Sequence, residues 1–372
     1  MRRSLAFLIV ALAAADASAQ VRSLRPLWRR DDLSAFVFQA TSPGLVLAVE
    51  AKGGLVTIDA KTGRTLRRWR RPLASEQGAE LLVGDHLVVS QGESVRSFDA
   101  RTGKAEWRRE LGCRMAFHPE SSQGVVVGNC VRAPAQLYVF KDLVIALDVE
   151  AGGKELWRRK AAEKQINDKH GLELAIGQDR VAFEDMLAGG RAQLVTLRTG
   201  ETLRTLEVRP ATSMSLAEEI LLVSSLAEQV PGDAVTAFDG RTGVELWRRS
   251  PGAGREHADG LPRVSSGIAW VRDGDKLLGL DARTGDERKR LKLSNEARVV
   301  RSWPATDALV MAAFRHYSIV APTQLFLAGG DGRVTELTLG VAAQVIGVAG
   351  NVLLATPIRS APGDRGLMAF EL

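Results

Sequence analysis

The stretch V-T-A-F-D-G-R-T-G-V-E-L-W, Val235 to Trp247, returns along the chain with small edits. Ser94 to Trp107 reads S-V-R-S-F-D-A-R-T-G-K-A-E-W. Leu143 to Trp157 reads L-V-I-A-L-D-V-E-A-G-G-K-E-L-W, with one more residue in the turn. Leu55 opens L-V-T-I-D-A-K-T-G, Leu277 opens L-L-G-L-D-A-R-T-G, and Leu194 opens the shortened copy L-V-T-L-R-T-G. Before the Asp the residues alternate. Val235 and Ala237 point one way, Thr236 and Phe238 the other, which is the period of a strand. Asp239 starts an Asx-type turn, its carboxylate accepting N–H bonds from the next two residues. Gly243 stands where a tight hairpin needs a positive φ. A second strand then returns to Trp247. Asp99, Gly103 and Trp107 keep the spacing of Asp239, Gly243 and Trp247, and Gly153 and Trp157 keep its second half.

A Trp at a fixed place in each copy is expected to pack on the neighbouring copy, where a large ring buries up to ~250 Å². Repeats that cannot bury their own faces stack or close. Gly63, Gly103, Gly153, Gly200, Gly243 and Gly285 follow one another at 40 to 50 residues, the length of a four-stranded propeller blade. Each repeat also holds an inner hairpin, such as L-L-V-G-D-H-L-V-V-S from Leu81 to Ser90. Third strands end at Asp59, Asp99, Asp148, Leu197, Asp239, Asp281 and Leu337, which makes seven interior copies. The chain stops at L-M-A-F-E-L (Leu367 to Leu372), a third strand without its fourth. The missing piece is at the other end: Pro26-Leu27-Trp28-Arg29-Arg30 matches Glu245-Leu246-Trp247-Arg248-Arg249. The pattern predicts an all-β, eight-bladed β-propeller of four-stranded antiparallel blades. N- and C-terminal strands close the ring and so remove exposed edges.

Residues 1–19 read as a cleaved signal peptide. Arg2 and Arg3 precede an apolar run from Leu5 to Ala15, and Ala17-Ser18-Ala19 is a small-residue cleavage site. The ring is then 20–372, one domain, periplasmic or secreted. No Cys stands at the cleavage point, and no later apolar stretch is long enough for a transmembrane helix. The formal net charge of +6 is mild; it permits an anionic partner without pointing to nucleic acid. The two cysteines, Cys113 and Cys130, are expected to form a disulfide in an oxidising compartment. They lack the further ligands of a metal site.

The D-A-x-T-G-x-x-x-W unit resembles the pyrroloquinoline-quinone (PQQ)-type β-propeller repeat over essentially the whole mature chain. That resemblance spans two groups. One is the PQQ-dependent dehydrogenases, which use adjacent cysteines over the quinone, a Trp beneath it, and a calcium held by Glu, Asn and Asp. The chain has no adjacent cysteines, and a quinone, metal and catalytic carboxylate cannot be assembled from it. The other group is non-enzymatic scaffolds such as BamB, a lipoprotein of the β-barrel assembly machinery, whose lipid-bearing Cys is absent here. The resemblance therefore implies a monomeric, non-enzymatic scaffold without cofactor. Its partners would be envelope proteins, with outer-membrane barrel assembly components among the candidates, and peripheral membrane association is left open. The alternative is a small-ligand or quinone-binding propeller that uses the central channel.

Other constellations read as structural. Trp-Arg-Arg follows the blades at Trp28, Trp69, Trp107, Trp157 and Trp247. A basic belt for an anionic surface is one reading. The plainer one has one Arg stacked on a ring and the other solvated. His86, His118, His170, His257 and His316 show no ligand spacing. Gly329-Gly330-Asp331-Gly332 is a hairpin turn, not a phosphate loop. Trp270 reads as core, whereas Trp303, before a proline in R-S-W-P, is the candidate aromatic contact in an exposed rim loop.

Overall fold

The structure is a computed structural model. It describes residues 20–34, 42–50, 54–69, 79–131, 139–165, 174–185, 191–208, 211–225, 234–250, 262–294, 297, 299–315, 322–358 and 366–372. The expected signal peptide, His170, His257 and His316 lie outside them.

Alternating apolar segments separated by tight turns fold as eight small antiparallel sheets. The ring is the predicted eight-bladed propeller. Blade one carries Leu33–Ser34, Leu45–Glu50, Leu55–Asp59 and Thr65–Trp69. Blade two carries Ala79–Val83, His86–Gln91, Ser94–Asp99 and Ala105–Glu110. Blade three runs from Arg114–Ser122 through Val125–Val131 and Val139–Asp148 to Lys154–Gln165. Blades four to six begin at Leu174–Ile176, Ala211–Ala217 and Arg263–Ser265 and end at Thr202–Glu207, Glu245–Arg249 and Glu287–Lys292. First strands touch one another from blade two through blade six and again between blades seven and eight, which places them on the inner ring around the channel. In such a meander the turns joining first to second and third to fourth strands share one rim.

Blade eight consists of Ala343–Ala349, Val352–Pro357, Leu367–Glu371 and, outermost, Pro26–Arg30. Trp28 pairs with Ala369 and Arg30 with Leu367, so the termini close the ring as the sequence implied. Blade seven (Val299–Pro304, Ala308–Phe314, Gln324–Gly329, Val334–Thr338) holds a fifth strand that sequence reading did not anticipate. Gln20–Ser23 adds to its outer edge in parallel register.

The core lies between blades. One cluster joins Val125, Val127 and Val144 of blade three to Leu174, Val181 and Phe183 of blade four. Another joins Val310 and Leu325 of blade seven to Val345, Leu353 and Phe370 of blade eight. Each sheet is therefore apolar on both faces, as Leu45–Leu47–Val49 and Val46–Ala48 show within one strand.

Candidate functional site: one rim and the channel mouth

The repeat turn builds the rim. Asp99 accepts N–H bonds from Arg101 at 2.9 Å and Thr102 at 2.7 Å, the second and third residues on rather than the first and second. Gly103, at φ 78°, returns its N–H to the Asp99 carbonyl at 2.8 Å. The same bonds recur around Asp239 and Asp281. At Asp59 and Asp148 the N–H of the third residue on, Thr62 and Ala151, is the one bonded.

Tryptophan joins four of these turns to the blade before them. Trp28, Trp107, Trp157 and Trp247 donate their indole N–H to the carbonyls of Ala60, Val149, Leu197 and Ala282 at 2.8, 3.0, 2.7 and 3.0 Å. In each case the acceptor belongs to the next blade. The rings lie over Gly63, Gly153, Gly200 and Gly285, where an added Cβ would meet the indole at 2.5 to 2.8 Å. Glycine is thus needed twice, for a positive φ and for contact. At Gly103 the neighbour is Arg67, and at Gly243 it is Arg204 with Leu206. Trp69 stands two residues past the docking position. It bonds Thr57 Oγ1 at 2.8 Å inside its own blade and packs edge-on against Phe98.

The Trp-Arg-Arg triplets follow from strand alternation. Arg70 and Arg71 lie outside the described residues; in the other triplets the residue two past the Trp shares its side, so it too reaches the next blade. Arg30 donates to the Gly63 carbonyl at 2.7 Å, Arg109 to that of Gly152 at 3.1 Å, and Arg159 to that of Gly200. The middle Arg turns outward to a carboxylate of its own blade region: Arg29 to Asp31, Arg108 to Glu110, Arg158 to Glu155, Arg248 to Glu245. The expected stacking of one Arg on each Trp is therefore replaced, in these triplets, by bonds to turn carbonyls. The belt is a set of blade staples with locally neutralised charge, and exposed pairs of this kind are worth at most about 1 kcal/mol each.

Strain gathers on one arc of the rim. All non-glycine residues of positive φ among those described, Gln123, Glu218, Glu219 and Ser266, occupy first-to-second-strand turns of blades three, five and six. A left-handed conformation costs such residues of order 1–3 kcal/mol and persists where surroundings impose it. Here they do. The Glu218 carboxylate accepts the N–H groups of Ser266 at 2.5 Å and Gly267 at 2.6 Å, on the next blade. Glu219 lies between Arg241 and Arg283, at 3.5 and 3.6 Å, and Arg283 also reaches Asp239 at 3.4 Å. Arg198 links blade four to Asp148 at 2.8 Å and to the Gln123 carbonyl at 3.0 Å. Between these links Gln123, Gln178, Asp179, Arg180, Glu218 and Glu219 border a cleft of about 260 Å³, below the usual size of a site for a drug-sized molecule.

The channel is crossed near this rim. Register shifts between Phe117 and Ser121 in the inner strand of blade three, where Pro119 has no N–H for the ladder. The bulge directs Glu120 to Arg263 on blade six, an ion pair between side chains about a quarter exposed. Blades three and six are not neighbours, so the pair spans the channel across the inner strands of blades four and five. His118 lies beside it. Burial pushes its imidazole below the ordinary value; Glu120 opposes the shift and Arg263 adds to it. No cluster of three or more His, Cys, Asp or Glu suited to a metal occurs among the described residues.

Cys113 and Cys130 form a disulfide, both buried, joining the residue just before the first strand of blade three to its second strand. Trp303 is not in an exposed loop. It lies in the inner strand Val299–Pro304, half-buried against the core between blades seven and eight. Proline is tolerated there because an innermost strand is an edge. Trp270 is buried core, and its indole nitrogen has no hydrogen-bond partner.

A family model described as "Outer membrane protein assembly factor BamB" matches residues 14–148 and 140–343. No curated protein sequence matches the chain. Among solved structures, BamB from Moraxella catarrhalis is 13% identical, with 94% of this chain and 100% of that chain covered and a TM-score of 0.55. The computationally designed Ika8 protein is 16% identical, covering 95% and 99%, with a TM-score of 0.59. Quinohemoprotein alcohol dehydrogenase from Comamonas testosteroni is 11% identical, covering 94% of this chain and 76% of that one, with a TM-score of 0.55. At these identities the structural likeness speaks for the fold alone.

Proposed function

Because the chain belongs to the family of outer membrane protein assembly factor BamB, we propose that it is an exported, non-enzymatic scaffold that recognises other proteins in the cell envelope. On this reading residues 1–19 direct export and 20–372 form the working ring, in the periplasm or outside the cell. Its partners are envelope proteins, with components of outer-membrane barrel assembly first among them. The observation that supports it is the rim arc of blades three to six. Its polar turns are held in costly conformations by bonds between blades, and a rigid frame presenting fixed turns suits protein recognition.

A second reading, a quinone-dependent oxidation, is raised by the shared fold of the quinohemoprotein dehydrogenase. The residues present do not fit that group. The cysteines are bonded to each other, and an ion pair crosses the channel mouth.

Cross-linking of the tagged mature protein in intact envelopes, with captured proteins identified by mass, tests the first reading. Enrichment of outer-membrane barrels or their assembly components supports it. Unchanged capture after replacing Gln178, Asp179 and Glu219 by alanine moves the interface off this arc. An absorbance spectrum of the purified protein tests the second, since a bound quinone absorbs where protein does not.

A further inference from the structure

The joints between blades are unequal. Trp or Arg docks onto the turn glycines of blades one to six. At the position four residues past the turn glycine, blade six has Lys289 and blade seven has Glu336. The turn at Gly332 is nearly open, with only Ile268 Cδ1 at 3.9 Å from an added Cβ. Blade eight has no third-to-fourth-strand turn, because its outer strand comes from the other end of the chain.

The N-terminal arm lies at the joint between blades seven and eight, where no such docking turn exists. Gln20, Val21, Arg22 and Ser23 pair with Thr335, Glu336, Leu337 and Thr338. The Leu24 N–H then donates to the Thr338 carbonyl at 2.8 Å. Leu24 is 4% exposed, within the core shared by blades seven and eight, while Val21 is 62% exposed. The arm is thus four parallel pairs keyed by one buried side chain. Parallel pairing is the weaker kind, and an element with few buried contacts opens locally at low cost. What lies beneath is a strand edge, a template for another strand when uncovered.

We propose that the outer edge of blade seven, Val334–Thr338, is a strand-acceptor site for an extended protein segment in parallel register. The chain's own arm, Gln20–Leu24, is its resident occupant. In trans, the occupant is an extended segment of a partner protein that places an apolar side chain where Leu24 sits. The identity of that partner rests on the scaffold reading; the acceptor edge does not. Backbone bonds would supply most of the attraction and the Leu24 pocket the selection, as in strand addition generally.

The test is hydrogen exchange, read by mass on peptides covering Val334–Thr338, with Ala105–Glu110 of blade two as the internal reference. In Leu24→Ala the blade-seven edge is expected to exchange about tenfold faster while the reference is unchanged. A synthetic peptide of residues 20–25, Q-V-R-S-L-R, is expected to slow it again, and a scrambled peptide is not. Val21→Ala, which removes only an exposed side chain, should leave exchange as it was. Equal exchange in Leu24→Ala and wild type overturns the proposal, as does acceleration of both segments together or protection by the scrambled peptide. No partner protein is used, so this outcome and that of the envelope capture are read independently.

Discussion

Trp157 lies over Gly200 of the following blade and donates its indole N–H to the Leu197 carbonyl at 2.7 Å. The ring is 8% exposed and joins the core between blades three and four. Trp157→Ala should therefore destabilise by about 3–5 kcal/mol, and Trp107→Ala, whose ring is only half-buried, by less. Trp157→Phe keeps apolar area and loses one hydrogen bond, so about 1 kcal/mol is expected beyond the change in size. Urea unfolding of the three variants gives the order; equal losses for the two alanine variants would contradict docking as the main joint.

Gly200 and Gly267 separate two roles of glycine. Both have positive φ, 66° and 71°. A Cβ at Gly200 would meet Trp157 Cγ at 2.5 Å, whereas at Gly267 it meets nothing within 4 Å. Gly267→Ala should cost about 1 kcal/mol from backbone strain alone. Gly200→Ala should cost clearly more, because the indole must move. Thermal unfolding of the pair checks this, and similar losses would remove the contact argument.

The acid limb of stability should come from the repeat turns. The N–H of Thr102 holds the Asp99 carboxyl below the usual value despite some burial, and that of Thr284 does the same for Asp281. A folded value below the unfolded one, near 3.9, means the unfolded chain binds more protons between them. The contribution is full above the unfolded value and is lost as pH falls through the folded one. Asp99→Asn should flatten the stability profile below about pH 4. His118 acts in the same direction nearer neutrality, its folded value lying below an unfolded value of about 6.5. His118→Gln should remove slope below about pH 6.5, and an unchanged slope there would show that the imidazole stays accessible to protons.

Glu120 and Arg263 should be energetically coupled although 143 residues apart in sequence. A double-mutant cycle with Glu120→Gln and Arg263→Met is expected to give about 1–3 kcal/mol, with each single change leaving a partner unpaired. Additive effects would place the pair outside the native ensemble.

Reduction of the bond between Cys113 and Cys130, which closes a separation of 17 residues, should cost about 3 kcal/mol. Cys113→Ser with Cys130→Ser, compared by denaturation in oxidising buffer, measures it. A loss much below 1 kcal/mol would mean that blade three is held by its neighbours alone.

The ring could be read from the sequence because its constraints are local and chemical. Asp starts the turn, Gly permits φ, and Trp four positions later finds a neighbour, so three letters in phase disclose a blade. The rest depends on distance in space. Glu120 meets Arg263 only once curvature brings blades three and six to face across the channel. Its one local trace is Pro119 inside a strand, which requires a break in the ladder. Pro304 gives Trp303 the look of a loop residue, yet an inner edge strand accepts proline. The arm Gln20–Ser23 has no periodic pattern to betray it, since four residues pairing on one side leave alternate positions open to water. Glu218 and Glu219 are carboxylates where hairpins favour Asn and Gly; that mismatch was the available signal for the rim arc.

The pairing of Pro26–Arg30 with Leu367–Glu371 also sets an order of events. The two strands are separated in sequence by the other seven blades, so no chain still lacking residues 367–371 can complete blade eight. Every molecule passes through a stage in which seven blades lack their closure and Leu24 lacks its pocket. Ring closure is thus a late, long-range step, slow by the rule that distant contacts cost loop entropy before they reward it. During that interval the chain exposes strand edges that the closed ring hides, and each is a template for pairing with another chain.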